Sequence, residues 1–491
     1  MKLSRNKKIN FRMLVNTIGG LLILEAVFMV IPLVTALIYE EKDWEAFAFT
    51  AAFTALSGIL MRRIPVRSNR MGKREGFILT ASVWIFFSLF GMIPFIISNT
   101  PVSISSAFFE AMSGFTTTGA TSVTIPITEL SHGIIIWQAL MQWLGGMGII
   151  IFTLAVVPAL NNSGGMLMFN AEATGVIHDK IRPRISQTAM TLWGMYLMLT
   201  IILILLLWIG PMDLFDSICH AFGTISTGGY SSKAQSVAEF GSTYVLIVIC
   251  IFMFLSGINF ALLYKTIFLQ NWQRFRNDDV IKAYIGIIVV FSILFAVGQL
   301  IRTGYTSFTD IAFYSVFQVV STLTSTGYLA PGFFMWEPFI LALVFVMMFC
   351  GGCAGSTSGG AKIDRVIYLK RFIDNELHHC IHPNSVLSVR YNGKIVSQDI
   401  VRKTIAFLCI FMILVVSGGI ALSFLGLPPV DSFFSSLSCL CNTGFGASIT
   451  GYGDDFATMP DLAKWIMSFL MLIGRLEIYT VLLLFTPSFW K

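Results

Sequence analysis

"FFEAMSGFTTTGATS", residues 108–122, sets four Thr and two Gly between one long apolar run and the next. The pattern returns three times, as "HAFGTISTGGYS" around Gly228, "VVSTLTSTGYLA" around Gly327 and "SLSCLCNTGFGA" around Gly444. Aligned on Gly119, Gly228, Gly327 and Gly444, the preceding residue is Thr each time (Thr118, Thr227, Thr326, Thr443). The positions seven and ten before are apolar: Met112, Ala221, Val320 and Leu437, then Phe109, Ile218, Phe317 and Phe434. This spacing predicts a short helix with one apolar face running straight into a polar loop. The four glycines are 109, 99 and 117 residues apart, so the unit is an internal repeat.

The surroundings of each unit fix its solvent. The chain of 491 residues is 56% hydrophobic and 12% charged, with a mean hydropathy of +0.79. A soluble domain carries about a quarter charged residues, so this composition predicts a polytopic membrane protein. Basic residues precede the first apolar run, but that run is too long for a signal peptide and no small-residue cleavage site follows, so a retained span is expected. Ten apolar runs approach the roughly 20 residues a bilayer core demands: 13–39, 46–61, 76–98, 134–160, 189–209, 242–264, 283–301, 338–353, 404–427 and 465–486. The shorter segments 104–115, 213–224, 309–322 and 431–441 alternate with the later ones and are too short to cross. Eight scattered Cys, with Cys250 and Cys409 inside apolar runs, predict buried reduced thiols rather than a disulfide framework.

With the N-terminus inside, 27 of the 32 Lys and Arg fall in inner segments, which predicts that both termini are cytoplasmic. Fifteen of the 26 Asp and Glu fall in outer segments, a distribution that concentrates cations at the outer mouth or simply solvates the loops. Each repeat crosses twice, so all four begin on the same side and all four loops face outward. The expected organisation is an N-terminal two-helix membrane domain (1–74) and four repeats (75–188, 189–278, 279–400 and 401–491) in fourfold pseudosymmetry. Non-helical backbone at membrane depth must be buried or line a water-filled path. Four such loops around one axis could replace the hydration shell of a cation, helped by the negative C-terminal ends of the short helices.

With "QWLGGMGI" at 142–149 and "GGCAGSTSGG" at 351–360, these loops resemble the Trk/Ktr/HKT superfamily of potassium transporters. The two extra N-terminal spans resemble its TrkH branch. The resemblance implies a potassium selectivity filter built from Thr117, Thr118, Gly119, Ser226, Thr227, Gly228, Ser325, Thr326, Gly327, Asn442, Thr443 and Gly444. Members with Ser at the first Gly tend to favour sodium, so Gly119 implies potassium as the transported ligand. No cofactor or other metal is implied. The expected setting is a bacterial inner membrane. The expected partners are lipid, a second copy of the chain and a nucleotide-sensing cytoplasmic ring protein of the TrkA type, docked on the inner loops 161–188 and 362–403. A symporter coupled to protons or sodium is the alternative.

Two features bear on opening. Residues 350–362 hold five Gly where a helix should continue, and each Gly costs about 1 kcal/mol in a helix interior, so the helix is expected to break. The family keeps an intramembrane gating loop here, which implies Gly351, Gly352, Gly355, Ser356, Thr357, Ser358, Gly359 and Gly360 as the gate. Arg475 is expected near the middle of the last span, too deep to snorkel, and the resemblance places it facing the pore beside that loop. Glu477 points to another helix face and is not an expected partner. "HHCIH" at 378–382 lacks a second element with metal-ligand spacing. No G-x-S-x-G, H-E-x-x-H, P-loop or nucleic-acid motif is found, so an enzyme is not expected.

Overall fold

The computed structural model describes residues 9–66, 72–100, 103–148, 185–302, 308–331, 338–385, 387–446 and 455–490. The described residues are mostly helical, with one two-stranded hairpin among them pairing Arg390–Tyr391 with Lys394–Ile395. Six described helical segments are long and apolar enough to cross a membrane singly: Phe11–Ile38, Trp44–Arg62, Lys73–Ile97, Gln187–Ile209, Asp279–Ile301 and Gln398–Phe424. Their outward faces expose Ile209, Ile301, Ile413 and Phe424, as helices facing hydrocarbon should. The protein is a multi-pass membrane protein. The N-terminal pair crosses at Gly19 and Gly58. A Cβ on either would stand 2.6 Å from the other's carbonyl oxygen, a small-residue contact that lets two backbones meet without a hydrophobic driving force.

Four expected spans differ in form. Residues 242–264 are two helices, Thr243–Ser256 and Phe260–Ile267, bent by 106°. Asn259 makes the turn, its side chain accepting from the N–H groups of Ala261 and Leu262 at 2.9 and 3.1 Å. The last span bends by 110° between Asp461–Arg475 and Tyr479–Phe485. Glu477 and Ile478 take φ values of 54° and 57° there, a left-handed turn that a β-branched residue seldom adopts. Arg475 therefore closes a helix rather than sitting mid-helix. The eighth run is a 13-residue helix, Pro338–Cys350, that stops at the Gly-rich loop. The fourth is described as His132–Gly146, and its later part, with the inner loop 161–188, lies outside the described residues.

The short segments form as expected: Ile104–Phe115, Leu214–Ile225, Phe308–Leu323 and Pro429–Cys441. Ser103 and Asp213 cap the first two, accepting from Ser106 N (3.2 Å) and Asp216 N (2.6 Å). All eight Cys are free, and Cys409, expected buried, is exposed on the Gln398–Phe424 helix.

Candidate functional site: a closed ring of four loops over a Gly-rich plug

Each short helix ends in the same way. A residue with φ near +54° follows the helix: Thr117 (54°), Thr227 (55°), Ser325 (55°) and Asn442 (53°). The next N–H reaches back five residues, from Thr118 to Ser113 O (2.9 Å), Gly228 to Gly223 O (2.8 Å), Thr326 to Ser321 O (2.9 Å) and Thr443 to Ser438 O (3.0 Å). This is a Schellman closure, usually built on Gly, here built four times on polar non-Gly residues at a cost of about 1–2 kcal/mol each. The third residue again has positive φ: Gly119, Gly229, Gly327 and Gly444.

This shared backbone corrects the second repeat. Thr227, Gly228 and Gly229 fill the three positions, not Ser226, Thr227 and Gly228. Two adjacent glycines left the register undecided in sequence, and the left-handed turn at Thr227 decides it. Ser226 sits one position earlier, its hydroxyl donating to Gly223 O at 3.2 Å.

The loops then contact one another in cyclic order. A Cβ on Gly119 would stand 2.0 Å from Gly228 O, on Gly229 1.8 Å from Thr326 O, on Gly327 2.6 Å from Thr443 O and on Gly444 2.1 Å from Thr118 O. The third position of each loop abuts the second-position carbonyl of the next, and the fourth loop returns to the first. No side chain fits at these contacts, which is why Gly stands there. The same geometry separates neighbouring glycines. Gly229→Ala, with positive φ and a backbone clash, should distort the ring and alter the ion selectivity that the family resemblance implies, whereas Gly228→Ala meets only the side chain of Gln142 at 2.4 Å and should alter it less. Liposome flux of the two variants checks this.

Side chains brace the ring, most of them not anticipated, with Asn442 the exception as an expected filter residue. Gln142 donates to Gly228 O (2.7 Å) and accepts from Tyr230 N (3.1 Å). Tyr230 donates to Ala120 O at 3.1 Å, Tyr328 to His220 O at 3.3 Å, and Asn442 to the Thr118 hydroxyl at 3.1 Å. The buried Glu110 carboxylate accepts from Gln138 Nε2 and Ser122 N, each at 2.8 Å. The polar Gln138, Gln142 and Glu110 inside apolar runs were the available signal, since such groups are buried only when bonded.

Residues 351–362 form a loop between Pro338–Cys350 and Ile363–Ile381, with positive φ at Gly351, Gly355, Gly360 and Lys362. It contacts the second, third and fourth short helices or their loops directly and the first repeat through Arg475. Thr357 donates to Ile225 O at 3.2 Å, Gly359 N donates to Ser325 Oγ at 2.6 Å, and a Cβ on Gly359 would stand 1.7 Å from Cys441 O. Arg475 supplies the fourth link, donating from Nη1 to Thr357 O (3.0 Å) and from Nη2 to Gly146 O (2.8 Å) and Gly145 O. The Gly-rich loop and Arg475, far apart in sequence, are therefore joined. Ser356 and Ser358 share a hydrogen bond of 2.6 Å, and the buried Lys362 ammonium donates to Ser358 O. The Gly352 carbonyl accepts from Ile363 N at 3.0 Å. Glu477 pairs with Arg365 rather than Arg475, and the Arg365 guanidinium lies 3.9 Å over the Phe407 ring.

On the side of the hairpin the loop borders a cavity of about 890 Å³ lined by Asn259, Cys353, Ala354, Asp364, Tyr391 and Asn392. Asp364 accepts from Ala354 N (2.7 Å) and from the Tyr391 hydroxyl (3.2 Å), linking the loop to the hairpin. Burial holds the Tyr391 phenol well above the ordinary range, and Asp364 adds to this, so the hydroxyl keeps its proton and donates. Among the described residues no group of His, Cys, Asp or Glu could hold a metal ion, the HHCIH segment included.

Chemically, four loops with alternating left-handed residues can offer backbone oxygens to one axis, the arrangement that replaces the hydration of a monovalent cation. The comparisons agree with that geometry. The family model described as a cation transport protein, TrkH, matches residues 40–491. The chain is 35% identical over 486 residues to the Trk system potassium uptake protein TrkH of Escherichia coli strain K12, covering 98% of this chain and 100% of that one. It is 31% identical to the Trk system potassium uptake protein TrkG of the same strain, covering 98% and 99%. The crystal structure of the potassium transporter TrkH from Vibrio parahaemolyticus superposes with a TM-score of 0.88 at 31% identity, covering 98% of this chain and 100% of that one. With residues 40–491 matched by the family model and 98% of its length by a relative at 35% identity, the chain belongs to the TrkH family of cation transport proteins.

Proposed function

We propose that the chain is the membrane subunit of a bacterial potassium uptake system, passing potassium inward across the cytoplasmic membrane. The ring of Thr117–Gly119, Thr227–Gly229, Ser325–Gly327 and Asn442–Gly444 acts as the selectivity filter. The Gly-rich loop 350–362, fastened by Arg475, closes the path beneath it as a gate. The observation that carries this reading is the cyclic closure of the four loops, which puts four equivalent backbone turns around one axis. The names of relatives at 31–35% identity over nearly the full chain supply the ion.

The bias of Lys and Arg supports cytoplasmic termini. The family resemblance supports a homodimer with one pore per protomer and a TrkA-type ring protein at the cytoplasmic face. On the inner loop, Lys370 is exposed and open to such a partner, whereas Arg371 is engaged with Asp279 at 2.9 Å.

The test is ion flux in liposomes holding only the purified chain, with potassium, rubidium and sodium compared and the reversal potential measured. A potential that follows the potassium gradient alone supports a passive path. One that shifts with a proton or sodium gradient makes the chain a symporter, and absence of potassium flux removes the reading.

A further inference from the structure

Ser325 is a residue of the proposed filter and also a contact of the proposed gate. Its left-handed backbone (φ 55°) begins the third loop, and its hydroxyl gives its one proton to Thr324 O at 2.7 Å. The remaining lone pairs accept from Gly359 N at 2.6 Å, in the middle of the Gly-rich loop. Ser325 is buried, 2% exposed, and Gly359 is half-buried. Thr227 likewise donates to the carbonyl before it, Ser226 O, and Asn442 donates to Thr118 Oγ1 and Met471 O; neither of these bonds reaches the Gly-rich loop. Among the described residues, Ser325 is the first-position side chain that hydrogen-bonds to the Gly-rich loop.

We infer that Ser325 is a positioning residue that couples ion occupancy of the ring to closure of the loop. The inference rests on the filter and gate reading above. An ion held by the third loop's backbone fixes Ser325 in its left-handed turn, and only there does Oγ meet the Gly359 N–H. An empty ring frees that turn and releases one anchor of the loop. Coupling between two such sites is reciprocal, so potassium should favour the closed loop as much as the closed loop favours the occupied ring.

Cys353 reports on loop position without a new probe site. Its thiol is buried (1% exposed) in the Gly-rich loop and borders the hairpin-side cavity through which a small maleimide can approach. The purified full chain in liposomes would be alkylated in potassium or in N-methylglucamine medium, and modification of Cys353 followed by mass spectrometry. Potassium should slow alkylation roughly fivefold in the native chain, the effect of one net hydrogen bond. Ser325→Ala and Ser325→Gly should lose that dependence, the second keeping the backbone turn without the hydroxyl. Ser325→Thr should retain it, since Thr117 and Thr227 hold the same turn in the first two loops.

Ion-independent alkylation in the native chain, or ion dependence that survives in both Ser325→Ala and Ser325→Gly, would overturn the coupling. If one of those variants does not fold, the native chain and the other still decide. Potassium flux with ion-independent alkylation removes the coupling and leaves the transport reading standing. Absence of potassium flux from the native chain removes the transport reading itself.

Discussion

Arg475→Ala, purified and reconstituted without any partner, is expected to pass potassium at a basal rate about 10- to 100-fold above the native chain. The guanidinium joins Thr357 O in the Gly-rich loop to Gly145 O and Gly146 O at the end of the His132–Gly146 helix. Hydrogen bonds to a charged group contribute about 1.5–3 kcal/mol, so losing this fastening shifts a closed loop toward open by one to two powers of ten. On the proposed reading the charge also repels a passing cation, so its removal should work in the same direction. Deleting Ser356 through Ser358 takes away Thr357 and should raise basal flux similarly. Combining both changes should add little, because they act on one barrier. Arg475→Lys, a point charge that cannot span three carbonyls on two elements, should fall between the native chain and Arg475→Ala. A well-folded Arg475→Ala protein with unchanged or lower basal flux would show that this contact is only structural.

Gly119→Ser should lower the preference for potassium over sodium by at least about tenfold, a change of about 1.4 kcal/mol in relative ion stabilisation. The residue has φ +78°, and a Cβ there would stand 2.0 Å from Gly228 O, the carbonyl that the second loop turns toward the first. Either the first loop abandons its turn or the Gly228 oxygen moves, and both spoil one quarter of the oxygen shell. The helices around the ring need not change, so expression and dimensions in detergent should stay near native. Unchanged selectivity in mixed-cation liposome flux would take Gly119 out of the filter.

Much of the fold was legible because its signals are local. The short helices begin and end within two residues of their expected bounds, since an apolar stripe followed by Thr-Gly specifies both a helix and its stop. Four copies of one unit also announced the symmetry. The second loop was read one residue out because Gly228 and Gly229 are chemically identical and only the backbone turn at Thr227 distinguishes them. The bends at 257–259 and 476–478 were invisible to hydropathy, which counts apolar residues and is blind to direction. "SGINF", residues 256–260, did carry a clue, since Gly followed by a capping Asn is a helix end and a helix start in one. Partners remote in sequence could not be read at all. Arg475 with Thr357, Arg365 with Glu477 and Ser325 with Gly359 lie between 34 and 118 residues apart, and no periodicity links them.

The cyclic order of the loops also dictates how the protein can be made. The closing contact joins Asn442 to Thr118, 324 residues earlier in the chain. A chain threaded into a bilayer from its N-terminus delivers that contact last, after three polar loops have already reached membrane depth. Until the Pro429–Cys441 helix arrives, the Thr118 and Gly327 edges of the ring lack their neighbour, and backbone polar groups there face the gap. A chain stopped before residue 429 would leave that gap unclosed, an open trough rather than three quarters of a pore.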